Sequence, residues 1–318
     1  MPEVSVIVPL YNKGRYVQRA LSSILRQEFS DFEVIVVDDG STDDGPDVVM
    51  QQKDARVRLL RQSNQGPGAA RNAGLHICRG ALVAFLDADD EWLPTYLMQA
   101  VSALRLAGND VATHTCTYLE EPGGTDSSGL WRQRGFQPGV YRLSPQDTST
   151  VLLHRVAFMS PCTTVVRAEV AKSLGGFYAA DGCRYAEDAH LWLRAILTCR
   201  VSFQIEPHVR IHRDASDLSA TTRVARPLEP FLAHPEDIRA LCPADLGKLL
   251  EEFLAIRAFK TACAWSYWGQ WRAARELMQR FAVAGQQKLP FYWAARFAAT
   301  PLGAAIGRLA RLPTRMRG

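Results

Sequence analysis

The sequence lacks the features that mark several classes of protein. Its seven cysteines are scattered and no two are spaced C-x-x-C, so we expect neither a zinc site nor a thiol redox motif. An odd, dispersed set of cysteines also fits a reducing compartment better than a disulfide framework. No apolar run reaches about eighteen residues, and no basic segment followed by an apolar core opens the chain. We therefore expect no membrane span and no signal peptide, and we predict a cytoplasmic protein.

The charge of the chain argues against a nucleic-acid partner. The formal net charge is only +4, and arginine and aromatic residues do not alternate along any predicted sheet face. The length of 318 residues allows one large domain with an appendage, and the 47% hydrophobic content is enough for a real core.

Two apolar runs end abruptly in acidic residues. Residues 33–41 read EVIVVDDGS, and residues 81–90 read ALVAFLDADD. Such runs, without polar alternation, are typical of strands buried on both faces of a parallel sheet. Strand-like runs at 4–8 and 57–60 alternate with helical segments, which predicts an α/β fold with a mostly parallel, Rossmann-like sheet flanked by helices. The carboxylates then lie at the carboxyl edge, where open α/β sheets bind ligands.

The pattern changes after residue 111. Residues 121–138, rich in Gly, Ser, Asp and Arg, predict an exposed loop or loose hairpin, and further strands are predicted at 163–166, 201–205 and 209–211. Residues 187–197 have helical spacing.

The C-terminal third is predicted to be helical. Residues 226–243 contain four prolines and are predicted to be a linker, and the chain is helical from residue 245 onward. We therefore divide the chain into an α/β domain, residues 1–225, and a helical extension, residues 226–318.

The acidic pair at the end of the run 82–86 predicts a ligand site. In an extended backbone residues i and i+2 point to the same side, so Asp87 and Asp89 would face one ligand, with Ala88 between them. One carboxylate can accept hydrogen bonds from a ribose, and the other can coordinate Mg²⁺ or Mn²⁺ between two phosphates. The alternative is that these acids only cap the helix that follows.

Three more residues are candidates at the same edge. Asp39 can reach a nucleobase or ribose, or it only forms a strand-to-helix turn with Gly40 and Ser41. Tyr11 follows the first strand and offers a flat face, or it packs. Arg71, at the start of the helix that follows a glycine-containing turn, meets a base or phosphate, or it lies on the surface.

A second group of candidates comes later in the chain. Glu187 and Asp188 occupy the first turn of a predicted helix, where the helix dipole favours negative charge. An ionised carboxylate there can accept a proton, or it only stabilises the helix end. His212 follows a short predicted strand and binds metal or phosphate, or it is structural.

Taken together and in this order, these segments resemble the family 2 glycosyltransferases with the GT-A fold, over about residues 4–219. Five motifs match: residues 4–12 (VSVIVPLYN), 36–43 (VVDDGSTD), 64–74 (NQGPGAARNAG), 85–90 (FLDADD), and 175–177 (GGF) together with 187–194 (EDAHLWLR). Each motif alone is weak, but five of them in this order are specific for the family.

The resemblance implies an inverting transfer from a nucleotide-sugar, often a UDP-sugar, with Mn²⁺ or Mg²⁺. Asp188 is then the general base, and Asp89 binds the metal. His212 resembles part of an R-x-H motif, followed by Ser216 and Ser219, and is expected at the metal or diphosphate. The full set of expected site residues is Pro9, Tyr11, Asp39, Arg71, Asp87 and Ala88 at the nucleotide, Asp89 and His212 at the metal, and Asp188 with Glu187 at the acceptor.

The resemblance also implies a class of acceptor. The processive members carry a Q-x-x-R-W motif, whereas this chain has Gln270, Trp271 and Arg272 in another order and too far along, which favours transfer of a single sugar. The implied acceptor is a glycan or a lipid-linked glycan, as in surface polysaccharide or lipopolysaccharide assembly.

Two other functions compete with this interpretation. A nucleotidyltransferase would want a glycine-rich, basic loop after the first strand, and residues 9–14 (PLYNKG) are too poor in Gly and Arg. A catalytically silent nucleotide-sugar binder or assembly scaffold is the alternative from another class. The intact Asp87, Asp89 and Asp188 argue against it.

The tail has a charge of one sign. After Glu276 the chain has seven basic residues and no acidic one. Leu302, Ala305 and Ile306 recur at helical spacing, and residues 291–293 are aromatic. The tail either lies on an anionic membrane surface, as a peripheral contact, or caps the protein with a solvated basic face.

Overall fold

The computed structural model of the protein describes residues 1–215 and 225–311. The chain forms two compact units. The first takes in Met1–Leu143 and His154–Ala220, and the second takes in Ser144–Leu153 and Thr221–Gly318.

The first unit is built on a mixed sheet whose strands follow the order β3-β2-β1-β4-β9-β6-β10-β5, with β7 beside β6 and β8 beside β10. Along that order only β9 and β5 run against the others in the described chain. The strands are β1 (Val4–Leu10), β2 (Phe32–Asp38), β3 (Val57–Arg61), β4 (Leu82–Phe85), β5 (Glu91–Trp92), β6 (Val111–Glu121), β7 (Thr125–Asp126), β8 (Gly139–Tyr141), β9 (Thr164–Arg167) and β10 (Arg200–His212).

Helices cover the sheet and form most of the second unit. The second unit contains α9 to α14, whereas α1 to α5, α7 and α8 belong to the first. The helices are α1 (Gly14–Leu25), α2 (Gly45–Met50), α3 (Pro67–Ile77), α4 (Tyr96–Ala107), α5 (Ser128–Gln133), α6 (Ser149–Phe158), α7 (Ala168–Ser173), α8 (Glu187–Thr198), α9 (Pro230–Ala233), α10 (Pro235–Leu241), α11 (Gly247–Tyr267), α12 (Trp271–Arg280), α13 (Tyr292–Ala298) and α14 (Pro301–Arg311).

The predicted α/β fold is confirmed, and its centre is where the apolar runs placed it. Every residue of β2 and β4 is buried, because helices cover both faces of these strands. The parallel register sets Leu10 of β1 opposite Asp38 of β2, and Ile7 of β1 opposite Phe85 of β4. The ends of β1, β2 and β4 therefore meet at one edge of the sheet.

Three local predictions differ from the structure in part or in full. The predicted linker contains α9 and α10, because Pro230 and Pro235 stand in the first turn of these helices, where proline costs no hydrogen bond. Of the two readings of 121–138, the hairpin is confirmed, because β7 pairs antiparallel with the end of β6, whereas the exposed loop is wrong, because the segment contains α5, whose Trp131 is buried. The two strands predicted at 201–205 and 209–211 form one continuous strand, β10, with register shifts around Pro207.

Membrane crossing requires a helix that is both long and apolar. Within residues 1–215 and 225–311, no helix meets both conditions.

Candidate functional site

The acidic turn after β4 begins the site. Asp87 is about one-third exposed, and the backbone N–H of Asp90 donates to its carbonyl oxygen at 3.0 Å. Residues 88 and 89 form a turn and are not extended, so the extended backbone from which the common orientation of Asp87 and Asp89 was predicted is not present. The charge of Asp87 still acts on Asp89. Ala88 is buried in the core, which leaves only its backbone for any ligand contact.

Two groupings result from this turn. The Asp89 carboxylate lies 3.0 Å from Lys13 Nζ. A carboxylate oxygen each from Asp87 and Asp90 and the Sγ of Cys162 lie within 4.8 Å of one another. Burial raises the pKa of Asp90 to about 7, and the charges of Asp87 and Asp89 act in the same direction.

This concentration of buried negative charge fits a divalent cation. Burial and the charge of Asp87 raise the pKa of Asp89, and Lys13 opposes this. Mg²⁺ and Mn²⁺ prefer oxygen ligands, so the carboxylates suit them, whereas the Cys162 thiol does not. That thiol already donates to Asp90 Oδ2 at 3.2 Å.

His212 reaches the acidic turn through its backbone. Its N–H donates to Asp90 Oδ1 at 2.9 Å, while its ring Nε2 lies 2.9 Å from Glu91 Oε1. The structure thus pairs the ring with Glu91 and does not place it in the group formed by Asp87, Asp90 and Cys162. Ser216 and Ser219 lie outside the described residues.

Asp39 holds a loop at the end of β2. Its carboxylate accepts hydrogen bonds from the backbone N–H groups of Gln65 and Gly66, at 2.9 and 2.8 Å, and from Gln62 Nε2 at 2.7 Å. A carboxylate has about four acceptor positions, so one remains for a ligand.

Tyr11 lies at the rim of the same edge, and Pro9 precedes it in β1. Tyr11 is 41% exposed, so its ring face is available to a planar group, and the Arg184 guanidinium lies 6.0 Å from the ring centroid. The next residue, Asn12, has a left-handed backbone (φ 51°), and its Oδ1 accepts the N–H of Thr42 at 2.8 Å. The start of the loop after β1 is therefore tied to the loop after β2.

Of the two readings of Arg71, the surface position is wrong. Arg71 is buried, and each of its terminal nitrogens donates one hydrogen bond: Nη2 to Asp87 at 2.7 Å and Nη1 to Glu187 at 2.9 Å. Its guanidinium also lies 5.2 Å from the Phe177 ring centroid. Arg71 therefore joins the turn after β4 to the start of α8.

The backbone around Arg71 brings α3 and α8 close together. A Cβ on Gly68 would lie 2.6 Å from the carbonyl oxygen of Tyr178, so only glycine fits there. Asn72 bonds the backbone of Phe177 at both its N–H and its carbonyl, at 2.9 and 2.8 Å. The GPGAARN segment thus allows the start of α3 to pack closely against the chain that leads into α8.

Asp188 lies in the first turn of α8, which begins after Ala186 in the left-handed conformation. Burial raises the pKa of Asp188 to about 7; the charge of Glu187 raises it further, and Arg71 opposes both. The charge of Asp87 also acts on this pKa. A carboxylate that changes protonation state near neutral pH is suited to accept a proton from an alcohol.

Four residues of this site were not found from the sequence. Lys13, Asp90, Glu91 and Cys162 are each joined to the expected acids by the contacts described above. Asp90 and Glu91 continue the acidic run, so its length was a signal. Cys162 has no local signal because it comes from the segment before β9.

The chain matches the family model for glycosyl transferase family 2 over residues 5–175. It is 42% identical to the succinoglycan biosynthesis protein ExoO of Rhizobium meliloti (strain 1021) over 113 residues, 35% of this chain and 32% of that protein. The matches take in less than half the length of the curated relatives.

Solved structures share the fold. S. aureus TarS 1–349 in complex with UDP-GlcNAc aligns with a TM-score of 0.66 and 20% identity, covering 97% of this chain and 91% of that one. The mannosyltransferase PcManGT from Pyrobaculum calidifontis, in complex with GDP-Man and Mn²⁺, aligns with a TM-score of 0.53 and 20% identity, covering 97% and 87%.

Proposed function

Because the chain belongs to glycosyl transferase family 2, we propose that it transfers one sugar from a nucleotide-sugar, a UDP-sugar, to a hydroxyl group of an acceptor, with inversion at the anomeric carbon. The observation that carries this proposal is the pair of hydrogen bonds by which Arg71 joins Asp87 to Glu187. Arg71 holds Asp87, at the edge that would bind the donor, and Glu187, next to the candidate base, on one guanidinium. This contact supports one site that contains both the donor-side and the acceptor-side acids.

The nucleotide would lie over the ends of β1 and β2. Tyr11 offers its exposed ring to the base, and the remaining acceptor position of Asp39 takes a base N–H or ribose hydroxyl. Asp87 is exposed enough to accept from the ribose as well.

The carboxylates of the acidic turn would hold Mn²⁺ or Mg²⁺. Asp87 and Asp90 are already together, and Asp89, which now pairs with Lys13, would be a further ligand. When bound, the cation stabilises negative charge on the leaving nucleoside diphosphate. His212 positions Asp90 through its backbone N–H.

Asp188 acts as general base. Its carboxylate takes the proton of the acceptor hydroxyl, whose oxygen attacks the anomeric carbon from the face opposite the diphosphate. The bond from that carbon to the diphosphate oxygen breaks, and the sugar configuration inverts. A pKa of about 7 leaves a large fraction of Asp188 ionised at neutral pH and makes it a stronger base than an ordinary carboxylate.

We propose a glycan or lipid-linked glycan as acceptor, in the assembly of a surface polysaccharide. The likeness to a succinoglycan biosynthesis protein supports this class.

A donor screen tests the proposal. Full-length protein is incubated with a panel of UDP- and GDP-sugars, with Mn²⁺ or Mg²⁺, and nucleoside diphosphate release is measured. We expect release from one donor that depends on the cation. A donor that binds tightly but is never cleaved, with any acceptor extract, would instead identify a silent nucleotide-sugar binder.

A further inference from the structure

The two helices α13 and α14 expose an unusual amount of large apolar surface. We define the α13–α14 surface by five side chains that are each between 45% and 64% exposed: Phe291, Trp293, Phe297, Leu302 and Ile306. Trp293 and Phe297 are four positions apart on α13, and Leu302 and Ile306 are four apart on α14, so each pair lies on one face of its helix.

The opposite faces of these helices are already packed. Tyr292, Ala295 and Ala299 are buried in a cluster with Phe259 of α11. A Cβ on Gly303 would lie 2.3 Å from the carbonyl oxygen of Phe297, so α14 approaches the end of α13 closely.

The distribution of residue size follows from that packing. Small residues face inward on α14, where Gly303 and Ala304 are buried, and large apolar residues face solvent. Single exposed apolar residues are normal, but a group of this kind marks an interaction surface. Trp293 contacts the Tyr292 ring edge-on and Lys260 lies over the Phe291 ring, yet about half or more of each large side chain remains exposed and can contact a partner.

Charge identifies the partner. Residues 277–318 contain seven basic residues and no acidic one. Arg296 and Lys288 are exposed and lie three and five positions from Trp293 in the sequence, and Lys260 Nζ lies 5.5 Å from the Phe291 ring centroid. A second copy of the chain would bring two such basic segments together, which is unfavourable. An anionic lipid surface satisfies both the charge and the apolar side chains.

We propose that the α13–α14 surface docks on an anionic lipid bilayer, with its five apolar side chains at the headgroup boundary and the basic residues on the headgroups. Trp293 is suited to this depth, because its ring is apolar and its indole N–H is polar. The contact is peripheral, and it is independent of any sugar transfer.

The structure modifies the membrane contact expected from the sequence. Tyr292 was grouped there with Phe291 and Trp293, yet it is buried and bonds Arg296 through its hydroxyl at 3.0 Å. Phe297 takes its place on the exposed side.

Vesicle binding by the full chain tests this proposal. Partition is measured by co-sedimentation with vesicles of phosphatidylglycerol and phosphatidylcholine, and with pure phosphatidylcholine. We compare the wild type with the variant Trp293→Ser, Phe297→Ser, Leu302→Ser, Ile306→Ser. The matched control is Met50→Ser, Leu106→Ser, which removes two exposed apolar side chains elsewhere. Circular dichroism checks that each variant is folded.

We expect the wild type and the control to bind the anionic vesicles, more weakly as salt rises, and the fourfold variant to lose at least tenfold in partition coefficient. A second variant, Lys288→Gln, Arg296→Gln, should weaken binding by about fivefold per charge at low salt. Equal partition of the wild type and the folded fourfold variant would overturn the proposal. The proposal would also be overturned if the protein did not bind vesicles and sedimentation velocity showed that it dimerises through the α13–α14 surface.

Discussion

Arg71 and Glu187 are 116 positions apart in sequence, yet Nη1 of the arginine lies 2.9 Å from Oε1 of the glutamate inside the protein. The other terminal nitrogen bonds Asp87 at 2.7 Å. The buried Arg71 guanidinium thus compensates the charges of two acids from different segments. Its charge also acts on the pKa of a third acid, Asp188. We regard Arg71 as a residue that positions the site, because it holds two of its acids on one side chain.

Removal of Arg71 should destabilise the fold. Arg71→Met leaves the charges of Asp87 and Glu187 uncompensated, and breaking a buried ion pair in this way costs about 3–5 kcal/mol. Urea unfolding at pH 7.5 measures the loss. The control is Arg200→Ala, which breaks the exposed pair with Asp110 and should change the midpoint little. Equal midpoints for Arg71→Met and the wild type would show that the bridge does not stabilise the protein.

The rate of sugar transfer should follow the ionisation of Asp188. Since only the ionised carboxylate accepts a proton, kcat/KM should rise with pH up to about 7, the pKa to which burial raises this group, and then level off. The measurement is a pH profile of nucleoside diphosphate release at saturating Mn²⁺. A profile that is flat from pH 5 to 8 would argue against Asp188.

Arg71→Lys offers a second test of the same group. A lysine keeps the positive charge but cannot bridge two carboxylates as the planar guanidinium does. Because Arg71 opposes the rise in the pKa of Asp188, a weaker bridge should move the acidic limb of the profile to higher pH. An unchanged limb would mean that Arg71 has no electrostatic effect on the base.

Cation binding should depend on the acidic turn. In Asp89→Ala we expect that Mn²⁺ no longer increases the affinity for the donor, which calorimetry measures. The control is Asp54→Ala, whose carboxylate pairs with Arg56. Asp90→Asn distinguishes the ligands. If Asp90→Asn abolishes the Mn²⁺-dependent increase in donor affinity and Asp89→Ala does not, the cation is held by the Asp87 and Asp90 group and not by Asp89.

The strands that line the site were predictable because they are apolar throughout. Strand β6 was not, because Thr113, His114 and Thr115 break its apolar run although all three are buried. The partners of His114 and Thr115 are distant in sequence: His114 Nδ1 lies 3.0 Å from Ser202 Oγ, and Thr115 Oγ1 lies 3.3 Å from Thr163 Oγ1. A polar strand satisfied by tertiary hydrogen bonds has no signal in local hydrophobicity.

The residue types of the site were predictable, and their partners were not. The runs ending in Asp39 and Asp87 located the edge of the sheet, and spacing put Asp188 at a helix start. That Lys13 neutralises Asp89, or that Arg71 turns inward to Glu187, depends on chain segments brought together by the fold. Such pairs decide which acids are available to a ligand.

The kinetic effect of Asp188→Asn tests the central claim most directly. With the donor identified by the screen and saturating Mn²⁺, we expect turnover to fall by about 10²–10⁴-fold while donor affinity, measured by calorimetry, stays within a few-fold of the wild type. That result would identify Asp188 as the base at a site whose donor half is intact. Near-normal turnover in Asp188→Asn would contradict the account.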